Sequence, residues 1–416
     1  MRIRSTWSFD IDKSFDPDSA ALHRALDALL QSASDKPAAE FDESLPENGI
    51  GEEKVIDLLA PVVIGGARQL GAGTAFAHMD PPTPWITWAT SLWNAALNQN
   101  LLHPDVAPVA RDIENRLMQW LAPCYGMTGG HMTPGSTVAN LTALWAARDL
   151  KGVTRVVASD AAHLSVAKAA HILGLRFLEV ATNDLGQLRH RELPADLTDS
   201  ALVLTAGATS TGALDELRKK SNAAWTHVDA AWAGPLQLSQ SYCDRLDGIA
   251  EADSVAISAH KWFFQPKESG IVLFKDSKAA HDAVSFGGAY LSVPNVGVLG
   301  SHGANAVSLF ATLLSWGREG LEQRINRAMT LAHELHDYLD AHPDVQLFGP
   351  NSSGVILWRL RSGRDASAVL DALPAGSASM TVIDQTPWIR HVAANPNADM
   401  QLLTDAIGHA LKRMHA

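Results

Sequence analysis

The chain has 416 residues, 46% of them hydrophobic, and sets 33 basic against 45 acidic side chains for a formal charge of −12. That length and apolar content suit one large α/β domain with a smaller companion, and the acidic balance, without a long basic run, argues against a nucleic-acid partner. Two cysteines, Cys124 and Cys243, are too few for a disulfide framework and point to a reducing, cytoplasmic setting.

The opening MRIRSTWSFDIDKSFD lacks the apolar core of a secretory leader, and no stretch reaches the length of a membrane span, so a soluble chain is expected. Helical spacing follows around Ala21 to Leu30, then a polar, acidic connecting arm, SASDKPAAEFDESLPENG. From about Val62 to Phe310 helical patterns alternate with short apolar, β-branched runs: Arg155 to Ala158, Ala201 to Ala206, Trp225 to Val228, Ser254 to Ile257 and Gly270 to Phe274. That alternation predicts a mostly parallel sheet covered by helices on both faces. A long amphipathic helix is expected over roughly Gly303 to His342, broken near Gly317 and Gly320, followed by strand-like Gly354 to Leu360 and Trp388 to Ala393 and a last helix. The expected division is an N-terminal helical arm over 1–61, a large α/β domain over 62–312 and a small C-terminal α+β domain over 313–416.

Four segments fall at predicted strand ends, where an open α/β sheet presents its chemistry. In HMTPGSTVANLTALWAARD, Gly135 makes a turn and Ser136 and Thr137 lead a helix whose free N–H groups suit a phosphate, although Ser136 alone reads equally as an N-cap. In SDAAHLSVAKAAHILGL, His163 opens a helix, where it is either satisfied locally or free to stack on a flat ring. In THVDAAWAG, Asp229 ends a strand, and a buried carboxylate there needs hydrogen bonds or a cation such as a pyridinium nitrogen. In SAHKWFFQPKESG, Lys261 either points into water or serves as a Schiff-base amine, activated by apolar surroundings and by a cationic His260. Together the four supply a phosphate turn, a stacking ring, a pyridine partner and an aldehyde-capturing amine, the parts that pyridoxal phosphate requires.

These segments resemble the group II pyridoxal-phosphate-dependent amino-acid decarboxylases. HVDAAWAG, SAHKW, TAGATSTGALD and AHLSVAKAAHILG are similar to four ordered motifs of that family, and the similarity runs from about Phe76 to Leu411. The resemblance implies the fold of the aspartate-aminotransferase superfamily (fold type I), a homodimer, and a small-molecule amino-acid substrate. It implies that Lys261 forms an internal aldimine with the cofactor, Asp229 keeps the pyridine nitrogen protonated and His163 stacks on the ring. Ser136, Thr137 and Ser258 would bind the phosphate, with His260 beside it and Thr209 near the ring hydroxyl. Arg390, in WIRHVAANP, matches a small-domain arginine and is a candidate for the substrate carboxylate. Decarboxylation to an amine and carbon dioxide, through an external aldimine and a quinonoid, is the implied reaction.

Two departures bear on the reaction: the family often has arginine in a G-S-R turn where this chain has His302, and the loop after the lysine motif differs. Family members often carry a longer loop with a tyrosine after the lysine motif, whereas SVPNVGVLGSHGA has none, so Tyr290 or His302 are the nearby substitutes. Another lyase reaction, an aldehyde-forming oxidative decarboxylation, a transamination or a non-catalytic cofactor-binding role therefore stay open. FAHMDPPTPWITWATSLWNAALNQN is similar to diaminobutyrate-type members, leaving diaminobutyrate-like, acidic and aromatic substrates as alternatives. No metal site is expected: His333 and His336 share a helix face without a third ligand. Trp85, Trp88 and Trp93 read as core or subunit-interface residues, and GGARQLGAGTA lacks the full dinucleotide pattern.

Overall fold

A computed structural model describes residues 18–31, 41, 43–363 and 366–415. The opening segment through Pro17 and most of the acidic connecting arm lie outside the described residues. Of the described residues, those up to Gln69 form one compact unit and those from Leu70 onward a second. The first unit holds α1 (Ser19–Leu30) and α2 (Glu52–Gly66). Asp18 caps α1 by accepting from the N–H groups of Ala20 and Ala21, and Glu52 and Glu53 favour the start of α2 by meeting its positive dipole end.

The second unit opens with α3 (Trp85–Leu97) and α4 (Pro108–Leu121) and then alternates strand and helix: β1 (Gly129–Thr133), α5 (Ser136–Lys151), β2 (Arg155–Ser159), α6 (Leu164–Ile172), β3 (Arg176–Val180). Four strands follow, β4 (Ser200–Thr205), β5 (Trp225–Asp229), β6 (Ser254–Ile257) and β7 (Gly270–Phe274), with α7 (Ser277–Ala283) and the short pair β8 (Ser285–Phe286) and β9 (Asn295–Val296). The long α8 (Ala306–Asp340) leads into β10 (Val345–Leu347), β11 (Val355–Leu360), α9 (Ala366–Ala372), β12 (Ser379–Ile383), β13 (Thr386–Val392) and α10 (Met400–His415).

The seven-stranded sheet runs β1-β7-β6-β5-β4-β2-β3; β7 is antiparallel to both its neighbours, and the pairings from β6 through β3 are parallel. Alternate residues divide its two faces. Val156, Val203, Ala256 and Val272 pack with the alanine-rich α5 and α6, while Val157, Leu202, Val255 and Ile271 pack toward α4 and α8. Helices therefore cover both faces, as the doubly apolar strands require. The C-terminal strands make a separate antiparallel sheet, β10-β11-β13-β12, the α+β layer expected from the tail.

The expected break in the long helix falls at Gly317, with φ 64° and ψ −175°, whereas Gly320 stays helical. The tryptophans of α3 are not core residues: Trp85 is 71% exposed and Trp93 56% exposed in the single chain.

Candidate active site

The cleft lies at the carboxyl ends of β2, β4, β5 and β6 and at the turn after β1, an open space of about 800 Å³. Its walls carry Gly135, Ser136, Thr137, His163, Thr205, Thr209, Asp229, Ser258, His260 and Lys261. Residues spread over more than a hundred positions of sequence thus meet because each follows a strand of one sheet.

The turn before α5 depends on Gly135, whose φ of 148° lies where L side chains are rare, and a Cβ there would come within 3.3 Å of the His260 ring. Gly135, not Ser136, is the N-cap, and no side chain caps α5. Among the described residues the N–H groups of Ser136 and Thr137 have no acceptor, and both residues line the cleft, while Ser258 donates to the Ser136 hydroxyl at 2.9 Å.

Lys261 sits in a tight turn between β6 and β7, with its N–H on the Ser258 carbonyl and its own carbonyl accepting from Phe264. The aromatic run after it anchors that turn. Trp262, Phe263 and Phe264 are at most 2% exposed, each contributing about 2–3 kcal/mol by burial; Trp262 packs on Trp232 and donates to the Ala393 carbonyl. Phe264 holds a φ of 59°, a strained conformation for a bulky residue that the surrounding packing imposes.

Burial lowers the Lys261 amine below the usual lysine range; Asp229 and Asp80 oppose the shift, and Lys267 and Arg390 reinforce it. His260 does not supply the cationic neighbour expected from the sequence. Burial and the two lysines push its imidazole down to about 4, and its Nδ1 donates to the Ser269 carbonyl, so the ring is neutral near neutral pH. The activating cations are Lys267 and Arg390 instead.

Asp229 is 4% exposed and accepts from the Ala231 N–H at 3.1 Å and the Asn140 side-chain amide at 2.9 Å. Among the described residues, no positively charged side chain bonds it. His163 fulfils the local reading as the N-cap of α6, its Nδ1 accepting from the Ser165 N–H, and still lines the cleft. Burial holds its imidazole below the usual histidine range, against the pull of Asp229.

Arg390 reaches the rim from β13, with Nε on the Thr209 carbonyl and Nη1 on the Ala77 carbonyl; burial lowers it to about 10. Tyr290 is 75% exposed and does not line the cleft. His302 borders a second cavity, of about 860 Å³, with Arg111, Glu114, His131 and His281. Sequence reasoning passed over Asp80, which pairs with Lys267 beside Lys261 and His260, and over Thr205, whose buried hydroxyl borders the cleft without a partner. Lys267 stood in the quoted lysine segment and Asp80 in HMDPP, but neither has a spacing that marks a site.

The residues fit pyridoxal phosphate: an uncapped helix start, an unpaired Thr205 hydroxyl, a carboxylate bonded only by neutral donors and an amine with a lowered pKa share one cleft. A family profile described as the pyridoxal-dependent decarboxylase conserved domain matches residues 36–361. The L-2,4-diaminobutyrate decarboxylase of Rhizobium meliloti is 28% identical over 89% of this chain and 84% of its own length. The aspartate 1-decarboxylase of Aliivibrio fischeri is 26% identical over 76% of this chain and 70% of its length. Oryza sativa TDC, solved with PLP and tryptamine, shares the fold at a TM-score of 0.85 and 19% identity, covering 98% of this chain and 99% of that one.

Proposed function

The chain belongs to the pyridoxal-dependent decarboxylase family, carboxy-lyases that use pyridoxal phosphate, and on that premise we propose that it converts an L-amino acid to the corresponding amine and carbon dioxide with the cleft residues in the following roles. The observation that carries this reading is that the Lys261 amine, the Asp229 carboxylate and the His163 ring share one cleft with an uncapped helix start. When bound, the cofactor supplies an aldehyde that amines can capture and a pyridine ring that draws electrons from the breaking Cα–carboxylate bond.

Lys261 provides the capturing amine, and burial keeps part of it unprotonated and nucleophilic. The N–H groups of Ser136 and Thr137 and the hydroxyls of Ser136 and Ser258 hold the phosphate, with neutral His260 beside it. With the cofactor bound, Thr209 would serve its ring hydroxyl, His163 would stack on the ring, and Asp229 would keep the ring nitrogen protonated. Arg390 has Nη2 left for a substrate carboxylate once Nε and Nη1 are spent on backbone carbonyls.

The ion pair of Asp80 and Lys267 puts one charge of each sign within electrostatic reach of Lys261. A substrate with a second charged group finds a partner there, which favours diaminobutyrate-like or acidic substrates over aromatic ones. Aldehyde-forming oxidative decarboxylation is the second reading, supported by the tyrosine-free stretch from Leu291 to Ala304. A homodimer fits the apolar face of α3, where Trp85, Trp88, Leu92 and Trp93 stay 41–71% exposed in the single chain. A cytoplasmic setting fits two free cysteines; among the described residues no helix is long and apolar enough to cross a membrane.

Loading the protein with pyridoxal phosphate should give a visible absorption band that Lys261→Ala abolishes. A substrate panel scored for carbon dioxide, amine, aldehyde and keto acid then decides the reaction. Absence of the band, or no turnover of any amino acid, would sink the proposal, and aldehyde in place of amine would select the second reading. Sedimentation at micromolar and nanomolar concentration tests the dimer, which a fully active monomer would exclude.

A further inference from the structure

Behind Asp229 lies a buried polar network that the roles above leave unused. Strand alternation creates it: Trp225, His227 and Asp229 project from the same face of β5 toward α5, and Ser254 of β6 lies on that face too. Asn140, on α5, sits among them. Its Oδ1 meets His227 Nε2 at 2.9 Å, and its Nδ2 meets both Asp229 Oδ2 and Ser165 Oγ at 2.9 Å. His227 Nδ1 and Trp225 Nε1 each lie 2.8 Å from Ser254 Oγ, and Ser165 Oγ lies 2.7 Å from His163 Nδ1. Asn140, Ser165, His227 and Ser254 are each 0% exposed, so water cannot substitute for a missing partner.

The donor and acceptor inventory allows this network one direction. The Asp229 carboxylate can only accept, so Asn140 turns its amine to it and its carbonyl to His227 Nε2, which leaves Nδ1 to accept from Ser254, itself the acceptor of the Trp225 indole. His227 then carries its proton on Nε2 and donates to the Asn140 carbonyl. The Asn140 amine also donates to Ser165, and Ser165 gives its hydroxyl proton to His163 Nδ1. A flipped Asn140 would set its carbonyl against the Asp229 carboxylate, a repulsive contact in a dry interior that no change of the His227 tautomer relieves.

Resting on the reading that Asp229 faces the ring nitrogen of bound pyridoxal phosphate, we infer that Asn140 and His227 are positioning residues for that nitrogen. Asn140, held in turn by His227, bonds Asp229 as a neutral donor and so sets no competing cation against its carboxylate. An arginine or lysine in the place of Asn140 would quench the charge that the ring proton needs. The same chain leaves the His163 proton on Nε2, with Nδ1 tied to α6, which sets the ring orientation that a stacked cofactor would meet.

The test is the nitrogen-15 chemical shift of ring-labelled cofactor bound to the holoenzyme, with kcat, KM and thermal stability measured alongside. The parent protein should show a protonated ring nitrogen. Asn140→Leu should move the signal toward the unprotonated position and lower kcat by about tenfold or more with KM nearly unchanged. His227→Leu should do the same, while His227→Gln, which keeps an N–H near the Nε2 position, should restore the parent signal. Should Asn140→Leu fail to fold, the two His227 variants decide on the same signal. Variants that lose thermal stability but keep the parent shift and kcat would overturn the inference and leave Asn140 and His227 as fold residues alone. A parent protein that takes up no cofactor would bring down the reading beneath it as well, which separates the two failures.

Discussion

Ser258 donates its hydroxyl proton to Ser136 across 2.9 Å, tying the residue after β6 to the first turn of α5 on the floor of the cleft. Ser136→Ala removes both that acceptor and one phosphate contact while leaving the backbone N–H groups in place. Pyridoxal phosphate should bind about tenfold more weakly, the value of one hydrogen bond to a charged group, with thermal stability close to the parent. Fluorescence titration of the apoprotein measures it; unchanged affinity would move the phosphate away from α5.

Gly270→Ala should disrupt the same turn from outside the cleft. A Cβ on Gly270 would come within 2.7 Å of the Gly135 backbone, which has no flexible side chain to yield. The strand must shift, at a cost of about 1–3 kcal/mol by overpacking, and the Gly135 turn shifts with it. We expect lower thermal stability and loss of cofactor on gel filtration. An alanine variant that retains full cofactor would show that the turn tolerates displacement.

Lys267→Met should raise the pH at which the apoprotein captures cofactor. Lys267 lowers the Lys261 pKa, and its loss also frees Asp80, which raises it. Both changes favour the protonated amine, so a larger share of Lys261 stays protonated until higher pH. Following the visible band against pH reads the shift. Movement to lower pH would mean that Asp80 and Lys267 do not act on the amine.

Asp229→Asn conserves size but removes the charge, and it turns two amide groups toward each other at Asn140. Cofactor should still attach through Lys261, with weaker retention. Loss of about 3 kcal/mol of transition-state stabilisation corresponds to roughly a hundredfold slower turnover. Turnover at the parent rate would show that Asp229 is not the partner of the ring nitrogen.

Acid should destabilise the fold well above the ordinary carboxylate range. Burial lowers His227, His260 and His391 to about 4 and His131 to about 3, from a usual 6.5. Each protonates in the unfolded chain first, so the stability gained from keeping it neutral is present above about pH 6.5 and drains away as pH falls toward 4. Asp215, raised to about 6 by burial, works in the opposite sense: its buried charge costs stability above pH 6, and protonation relieves that cost as pH falls. Burial also raises Glu114 and Asp253 and lowers His163, His190, His281 and His333, and eight lowered imidazoles against three raised carboxyls predict a falling melting temperature from about pH 6.5 to 4. His391→Phe removes a buried imidazole that lines neither cavity and should make the decline shallower; an unaltered slope would contradict the assignment.

The central strands were legible because burial on both faces leaves a continuous apolar signature, as in SALVLT of β4 and GIVLF of β7, all of whose residues are buried. The edge strands escaped. GGHMT of β1 opens on two glycines, and RFLEV of β3 has only Val180 buried, so neither carries a two-sided apolar run. In the tail, β11 and β13 could be read in the sequence while β10 and β12, at the margins of the small sheet, could not.

By itself, the sequence determined the order of the segments that meet in the cleft and the residue types that suit them to pyridoxal phosphate, because each follows a strand whose pattern is local. Charge state and hydrogen-bond direction were decided only in three dimensions. His260 reads as a cation beside Lys261 until burial makes it neutral. Asn140 reads as an ordinary helix residue until the sheet brings Asp229, 89 positions away, within 2.9 Å. Desolvation and donor geometry depend on neighbours from distant strands, and no spacing along the chain encodes them.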